Sequence, residues 1–136
     1  MVELHHKPLD VRRAIDHVSD KSVGGIDVFI GTVRDSTRGK KVVALEFEAY
    51  EKMALKEMEK IASEAQKKWP VENIIIHHRY GTLAVGDAAV IIAVSTPHRK
   101  ESFEACQFII NTLKESAPIW KKEIFSDGEE WVSAHP

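Results

Sequence analysis

The sequence predicts an α+β fold: a largely antiparallel sheet with three helices and a C-terminal hairpin. Two observations carry that prediction. Segments of strand character follow one another directly, at residues 26–33 and 42–50 and again at 73–80 and 88–95, where strict βαβ alternation would place a helix between each pair. Segments of helical periodicity interrupt them in mixed order rather than in strict alternation.

Residues 2–6 read as a short strand. Residues 8–18 read as a helix with Asp10 near its start and Val11, Ala14, Ile15 and Val18 turned inward. Residues 19–25 form a loop, and strands 26–33 and 42–50 are joined by the polar loop Asp35 to Lys41. A long helix follows over 53–69, with Met53, Leu55, Met58, Ile61, Ala62 and Ala65 as its apolar set and Pro70 at its end. Strands 73–80 and 88–95 are separated by a glycine-containing turn.

The third helix carries the most information. Phe103, Cys106, Ile110, Leu113 and Ala117 repeat in steps of three and four and define one apolar stripe. At about 100° per residue, Lys114 lies only about 20° from Phe103 around the axis. The lysine therefore belongs to the stripe or to its rim. Partial removal from water lowers an ammonium's pKa and readies it for chemistry. The alternative is a snorkelling lysine with a packed stem and a hydrated head. Pro118 ends the helix by removing a donor and constraining Ala117. Beyond it Ile119, Lys121 and Glu123 alternate with Trp120, Lys122 and Ile124, and Ser126-Asp127-Gly128 marks a turn, so residues 119–133 read as a hairpin. Lys121 thus follows closely on the helix end bearing Lys114, and the two can share a pocket; adjacent lysines otherwise mark a solvated strand face.

Composition narrows the function classes. The 136 residues suit one domain, which buries roughly two-thirds of its unfolded surface. A formal net charge of −2 offers no basic field for nucleic acid. Cys106, the lone cysteine, reads as a small core residue. No apolar run spans a membrane and Val2 to Lys7 lacks a signal-peptide pattern, so a cytoplasmic protein is expected. Gly39-Lys40 is no phosphate loop, since Arg34 stands where its first glycine belongs and no Ser or Thr follows Lys40. The pairs His5-His6 and His77-His78 would point to opposite strand faces, which argues against a metal site. No serine or cysteine has an evident base partner.

Several ordered motifs carry a family resemblance. Phe29-Ile30-Gly31-Thr32-Val33-Arg34, Leu45 to Tyr50, His78-Arg79-Tyr80-Gly81, Val85-Gly86-Asp87, His98-Arg99, Leu113-Lys114, Ala117 to Glu123, Asp127-Gly128 and Trp131-Val132 together resemble the catalytic (large) subunit of molybdopterin synthase. The likeness runs from about Gly25 to Val132. It implies an α/β-hammerhead arrangement over a single large-subunit domain, residues 1–136. It also implies a sulfurtransferase that converts cyclic pyranopterin monophosphate to molybdopterin, in molybdenum cofactor biosynthesis, with two sulfurs delivered as the C-terminal thiocarboxylate of a small ubiquitin-like subunit. By the same resemblance Lys114 and Lys121 match the essential lysines. Arg34, His98 and Arg99 match the anion-binding residues, and Thr32, Val33, Lys122 and Glu123 line the site. No metal and no resident cofactor is implied. The sulfur belongs to the partner, so the chain needs no cysteine nucleophile. The implied assembly is a homodimer within a heterotetramer.

Physical roles follow from charge. Substrate phosphate and thiocarboxylate are both anions, and cations are needed to bring them together. Arg34 and Arg99 suit phosphate oxygens, with His98 as a further donor. Lys114 suits the reacting carbon and Lys121 the developing negative charge. Arg99 and Lys114 stand fifteen residues apart, about 22 Å along an unbroken helix, so a two-fold dimer is expected in which one copy's His98 and Arg99 complete the other's Lys114 site. The resembled family often carries a longer basic C-terminal tail, whereas this sequence ends at Ser133-Ala134-His135-Pro136. The Asp35–Lys41 loop reads as a solvated turn beside Arg34; the alternative is a loop that closes over substrate. Two other functions fit the residues: an enzyme acting on another phosphorylated heterocycle, and a non-catalytic module docking a glycine-tailed or acidic partner through Trp120 and Trp131.

Overall fold

Among the described residues, nine strands and three helices follow one another as β1 (Val2–His5), α1 (Val11–Val18), β2 (Gly25–Thr32), β3 (Ser36–Thr37), β4 (Lys40–Ala49), α2 (Glu51–Lys68), β5 (Asn73–Arg79), β6 (Gly81–Ala84), β7 (Ala88–Thr96), α3 (Arg99–Ser116), β8 (Ile119–Phe125) and β9 (Gly128–Ser133). The computed structural model describes residues 1–133, with side chains described to residue 128. The closing Ala134-His135-Pro136 and the Trp131 side chain lie outside that range.

The strands form two sheets. The first has the order β1-β5-β7-β2, parallel between β1 and β5 and antiparallel elsewhere. Both its faces are covered, which explains the unbroken apolar runs of β5 and β7. Ile75, Ile91 and Ala93 pack on Ala14 and Val18 of α1. Ile74, Ile76, Ile92 and Val94 share the opposite core with Ala54, Met58, Ile61 and Ala65 of α2 and with Ala105, Cys106, Ile109 and Leu113 of α3. The second sheet runs β3-β4-β8-β9, with β6 also paired to β4. The α+β expectation, with three helices, antiparallel pairing and a C-terminal hairpin, is borne out.

Local differences from the sequence reading have identifiable causes. Helix α1 begins at Val11, because Asp10 adopts an extended conformation and caps it by accepting from the Arg13 amide at 3.0 Å. The polar loop after Arg34 is a small hairpin whose turn places Arg38 and Gly39 at φ 52° and 78°. The turn after Tyr80 contains β6, four residues held by pairing to β4. Met53 is 63% exposed, since the inward face of α2 is Ala54, Met58, Ile61 and Ala65.

The stripe on α3 is corrected in the same way. Its buried face is Ser102, Ala105, Cys106, Ile109 and Leu113, while Phe103 is 57% exposed. The reason is close approach: a Cβ added at Gly25 of β2 would lie 2.8 Å from the Arg99 Cα. Small residues therefore occupy the contact face at the start of α3, and the phenyl ring turns outward. Lys114, on the same side as Phe103, is exposed and stands at the rim.

Candidate active site

Lys114 and Lys121 meet at one cavity. Pro118 stops α3 just after Lys114, and the chain turns into β8. On β8 the alternation turns Ile119, Lys121, Glu123 and Phe125 toward the interior and leaves Trp120, Lys122 and Ile124 on the other face. Lys121 pairs with Phe47 and Glu123 with Leu45 across the β4–β8 ladder, so both charged residues stand on the inner, apolar face of the second sheet. The cavity, of about 100 Å³, is walled by Phe29, Gly31 and Thr32 of β2, Ala89 and Val90 of β7, His78 of β5, Leu45 and Phe47 of β4, and Ile110 of α3, with the two lysines. Five strands and one helix contribute to it.

A second cavity of about 70 Å³ adjoins the first, sharing Thr32, Leu45 and Lys121 and adding Arg34, Thr37, Val42 and Glu123. Lys121 is thus common to both. Burial lowers its pKa, the Glu123 carboxylate opposes that shift, and the charges of Lys114 and Arg34 reinforce it. The lowered lysine is therefore Lys121, through its place on the inner strand face. Glu123 is buried, and its Oε2 has no hydrogen-bond partner.

The other expected site residues lie elsewhere. Val33 is buried in the core, with its backbone tied to Asp87 and Gly86 at 3.0 and 2.9 Å. Lys122 stands on the outer face of the second sheet, 3.6 Å from Glu46. His98 occupies the position before α3 without a side-chain capping bond, and Arg99 begins the helix; both are exposed and line neither cavity. Helix α3 runs unbroken from Arg99 to Ser116, leaving Arg99 about 22 Å from Lys114 in the same chain. Trp120, offered as a docking anchor, packs edge-on against Tyr50 at 5.0 Å over a shallow outer cavity. Among the described residues, no group of three or more His, Cys, Asp and Glu is placed to hold a metal, and no helix is long and apolar enough to cross a membrane.

Comparison with known proteins identifies the family of this fold. The family described as MoaE protein matches residues 4–116. Molybdopterin synthase catalytic subunit 1 of Aedes aegypti is 51% identical over 134 residues, covering 96% of this chain and 86% of that protein. The crystal structure of molybdopterin synthase from Staphylococcus aureus superposes with a TM-score of 0.92 at 41% identity, covering 96% of each chain. This chain belongs to the MoaE family, the catalytic subunits of molybdopterin synthase. The likeness of fold extends to a complex of subunits 1 and 2 of molybdopterin-converting factor from Helicobacter pylori 26695, with a TM-score of 0.81 at 23% identity over 99% of this chain and 93% of that one.

The motif resemblance thus led to the right family. The sequence reasoning still missed much of the MoaE cavity wall. Leu45, Phe47 and Val90 come from strands far apart in sequence and read locally as ordinary core. His78 gives two signals, a histidine inside an apolar strand run and a place in the His78-Arg79-Tyr80-Gly81 motif, but the sequence reading assigns it no place in the site.

Proposed function

We propose that this chain transfers sulfur to cyclic pyranopterin monophosphate from the thiocarboxylated tail of a small ubiquitin-like subunit, giving molybdopterin in two rounds. The observation that carries this reading is the convergence of Lys114 and Lys121 on one cavity, with Arg34 in the adjoining one. Two anions must approach each other in this reaction, and three cations around a joined pair of cavities offset their repulsion. Arg34 takes phosphate oxygens. Lys114 meets the reacting carbon and the tail carbonyl, while Lys121 offsets developing negative charge and, with its lowered pKa, gives up a proton readily. The complex of two subunits seen for the Helicobacter pylori fold relative supports a small-subunit partner.

The site is completed by a second copy of the chain. Strand β2 is an edge of the first sheet and exposes Ile26, Phe29 and Ile30. Arg99 packs at its Gly25 end, and the lysine cavity opens at its Thr32 end. The strand is eight residues long, about 23 Å from end to end, close to the Arg99–Lys114 separation. Antiparallel pairing of two β2 edges about a two-fold axis therefore sets one copy's Arg99 and His98 beside the other's Lys114 and Lys121. With a small subunit at each lysine cavity, the assembly is a heterotetramer.

The test is molybdopterin formation by the purified chain supplied with cyclic pyranopterin monophosphate and thiocarboxylated small subunit, wild type beside Lys114→Ala. Product from wild type, and its loss in a variant that still folds and binds the small subunit, is the expected result. No product from wild type with competent substrate and partner would overturn the proposal.

A further inference from the structure

Among the side chains walling the lysine cavity, His78 holds a buried polar atom left without a hydrogen bond. Its Nδ1 lies 2.9 Å from the Arg79 carbonyl oxygen, and its Nε2 has no partner. A carbonyl oxygen only accepts, so Nδ1 carries the hydrogen and Nε2 presents a bare lone pair. The ring is neutral, since complete burial lowers its pKa to about 4. Phe47 meets it edge-on, with centroids 5.2 Å apart at 75°, and fixes its plane.

The rest of the wall gives this nitrogen its meaning. Lys114 and Lys121 offer only donors, Thr32 is exposed, and Phe29, Leu45, Phe47, Val90 and Ile110 are apolar. Lysine ammoniums take the anionic part of a bound group, but they repel any N–H it carries. His78 is the buried acceptor in the same wall. The volume of about 100 Å³ holds a group of roughly seven to ten heavy atoms. We propose that His78 Nε2 is a specificity-determining acceptor of this cavity, receiving a hydrogen bond from an N–H of the group bound beside the lysines. The inference rests on the sulfur-transfer reading, in which two groups carry such a donor: a glycine peptide N–H of the small subunit's tail, and a ring or amino N–H of the heterocycle. A site built around a buried acceptor discriminates strongly against ligands that lack the donor.

Two measurements test this on the purified chain. In wild type with labelled histidine, the His78 Nε2 resonance is followed while unmodified small subunit and cyclic pyranopterin monophosphate are added separately. The expected result is an upfield movement on addition of one of them. The same two affinities are then measured by calorimetry for His78→Asn, which keeps an N–H toward the Arg79 carbonyl and lacks the outer acceptor, and for His78→Gln, whose amide oxygen reaches toward the Nε2 position. A loss of about tenfold or more is expected for one ligand in the Asn variant, with partial recovery in the Gln variant. Loss confined to the small subunit identifies the tail as donor, and loss confined to the substrate identifies the heterocycle. A resonance unmoved by both ligands, or a folded Asn variant with both affinities intact, overturns the proposal. Wild-type turnover measured alongside separates this from failure of the sulfur-transfer reading.

Discussion

A mixing experiment with two inactive variants decides whether the site is shared between copies. Arg99→Ala removes a cation at the start of α3, and Lys114→Ala removes one from its last turn, about 22 Å away along an unbroken helix. If each site takes Lys114 from one chain and Arg99 from the other, either variant alone assembles dimers with two defective sites. In a mixed dimer both lesions fall on the same site and the other site is intact. Equal amounts exchanged at random give about half mixed dimers, each with one working site of two, so activity returns to about one quarter of wild type. The variants are unfolded together in urea, refolded by dilution and assayed for molybdopterin against wild type treated identically. Recovery well above that of either variant refolded alone supports the shared site. Activity no greater than the two variants refolded separately, from a mixture shown to contain mixed dimers, refutes it.

Three further outcomes follow from burial and charge. Leu113 is completely buried between α3 and the first sheet, so Leu113→Ala loses about 2–5 kcal/mol of unfolding free energy, read by urea titration at unchanged slope. Burial holds His77 and His78 both near pKa 4, below the ordinary histidine value of 6.5. The unfolded chain therefore binds protons first, and their contribution to stability is full above about pH 6.5 and falls by up to about 1.4 kcal/mol per pH unit for each histidine as pH drops toward 4. Urea midpoints flat across that window would contradict it. Glu123 and Lys121 stand two apart on one strand face, about 7 Å, where opposite charges attract by roughly 2 kcal/mol at an effective dielectric near 20 and by less where water reaches the lysine. Glu123→Gln removes the influence that raises the Lys121 pKa, so the alkaline limb of kcat/KM moves to lower pH; an unmoved or rising limb would show that Lys121 in its charged form is not what the reaction needs.

What the sequence made legible was local. The end of α3 before Pro118 and the alternation that sets Ile119, Lys121 and Glu123 on one strand face follow from rules acting over a few residues, and the structure bears out both; that this face turns inward comes from the pairing of β8 with β4. What it hid was set by distant contacts. Met53 and Phe103 were counted inward because they are apolar, but helix facing was decided by what each helix meets, and at Gly25 that surface admits no ring. Strand β6 has only four residues, of which Leu83 alone is buried, so its pairing to β4 leaves little periodic trace. The cavity suffered most. Its lysines were visible by type and spacing, whereas His78, Phe47 and Val90 become neighbours only when two sheets close on α3.

The placement of the cations shows how the fold holds charge where a ligand will need it. Lys114 occupies the last turn of α3, where the negative end of the helix dipole favours an ammonium at the rim. Lys121 has no helix to help it and sits half out of water on an inner strand face, with Glu123 as its nearest compensation on β8. One carboxylate stands against Lys114, Lys121 and Arg34 in the joined cavities; burial lowers the Lys121 pKa, Glu123 opposes that shift, and the charges of Lys114 and Arg34 add to it. An arriving anion relieves the repulsion and raises the same pKa. Anion binding and protonation of Lys121 are therefore one linked equilibrium: each favours the other by the same free energy, so a site short of anions is also the site readiest to release a proton.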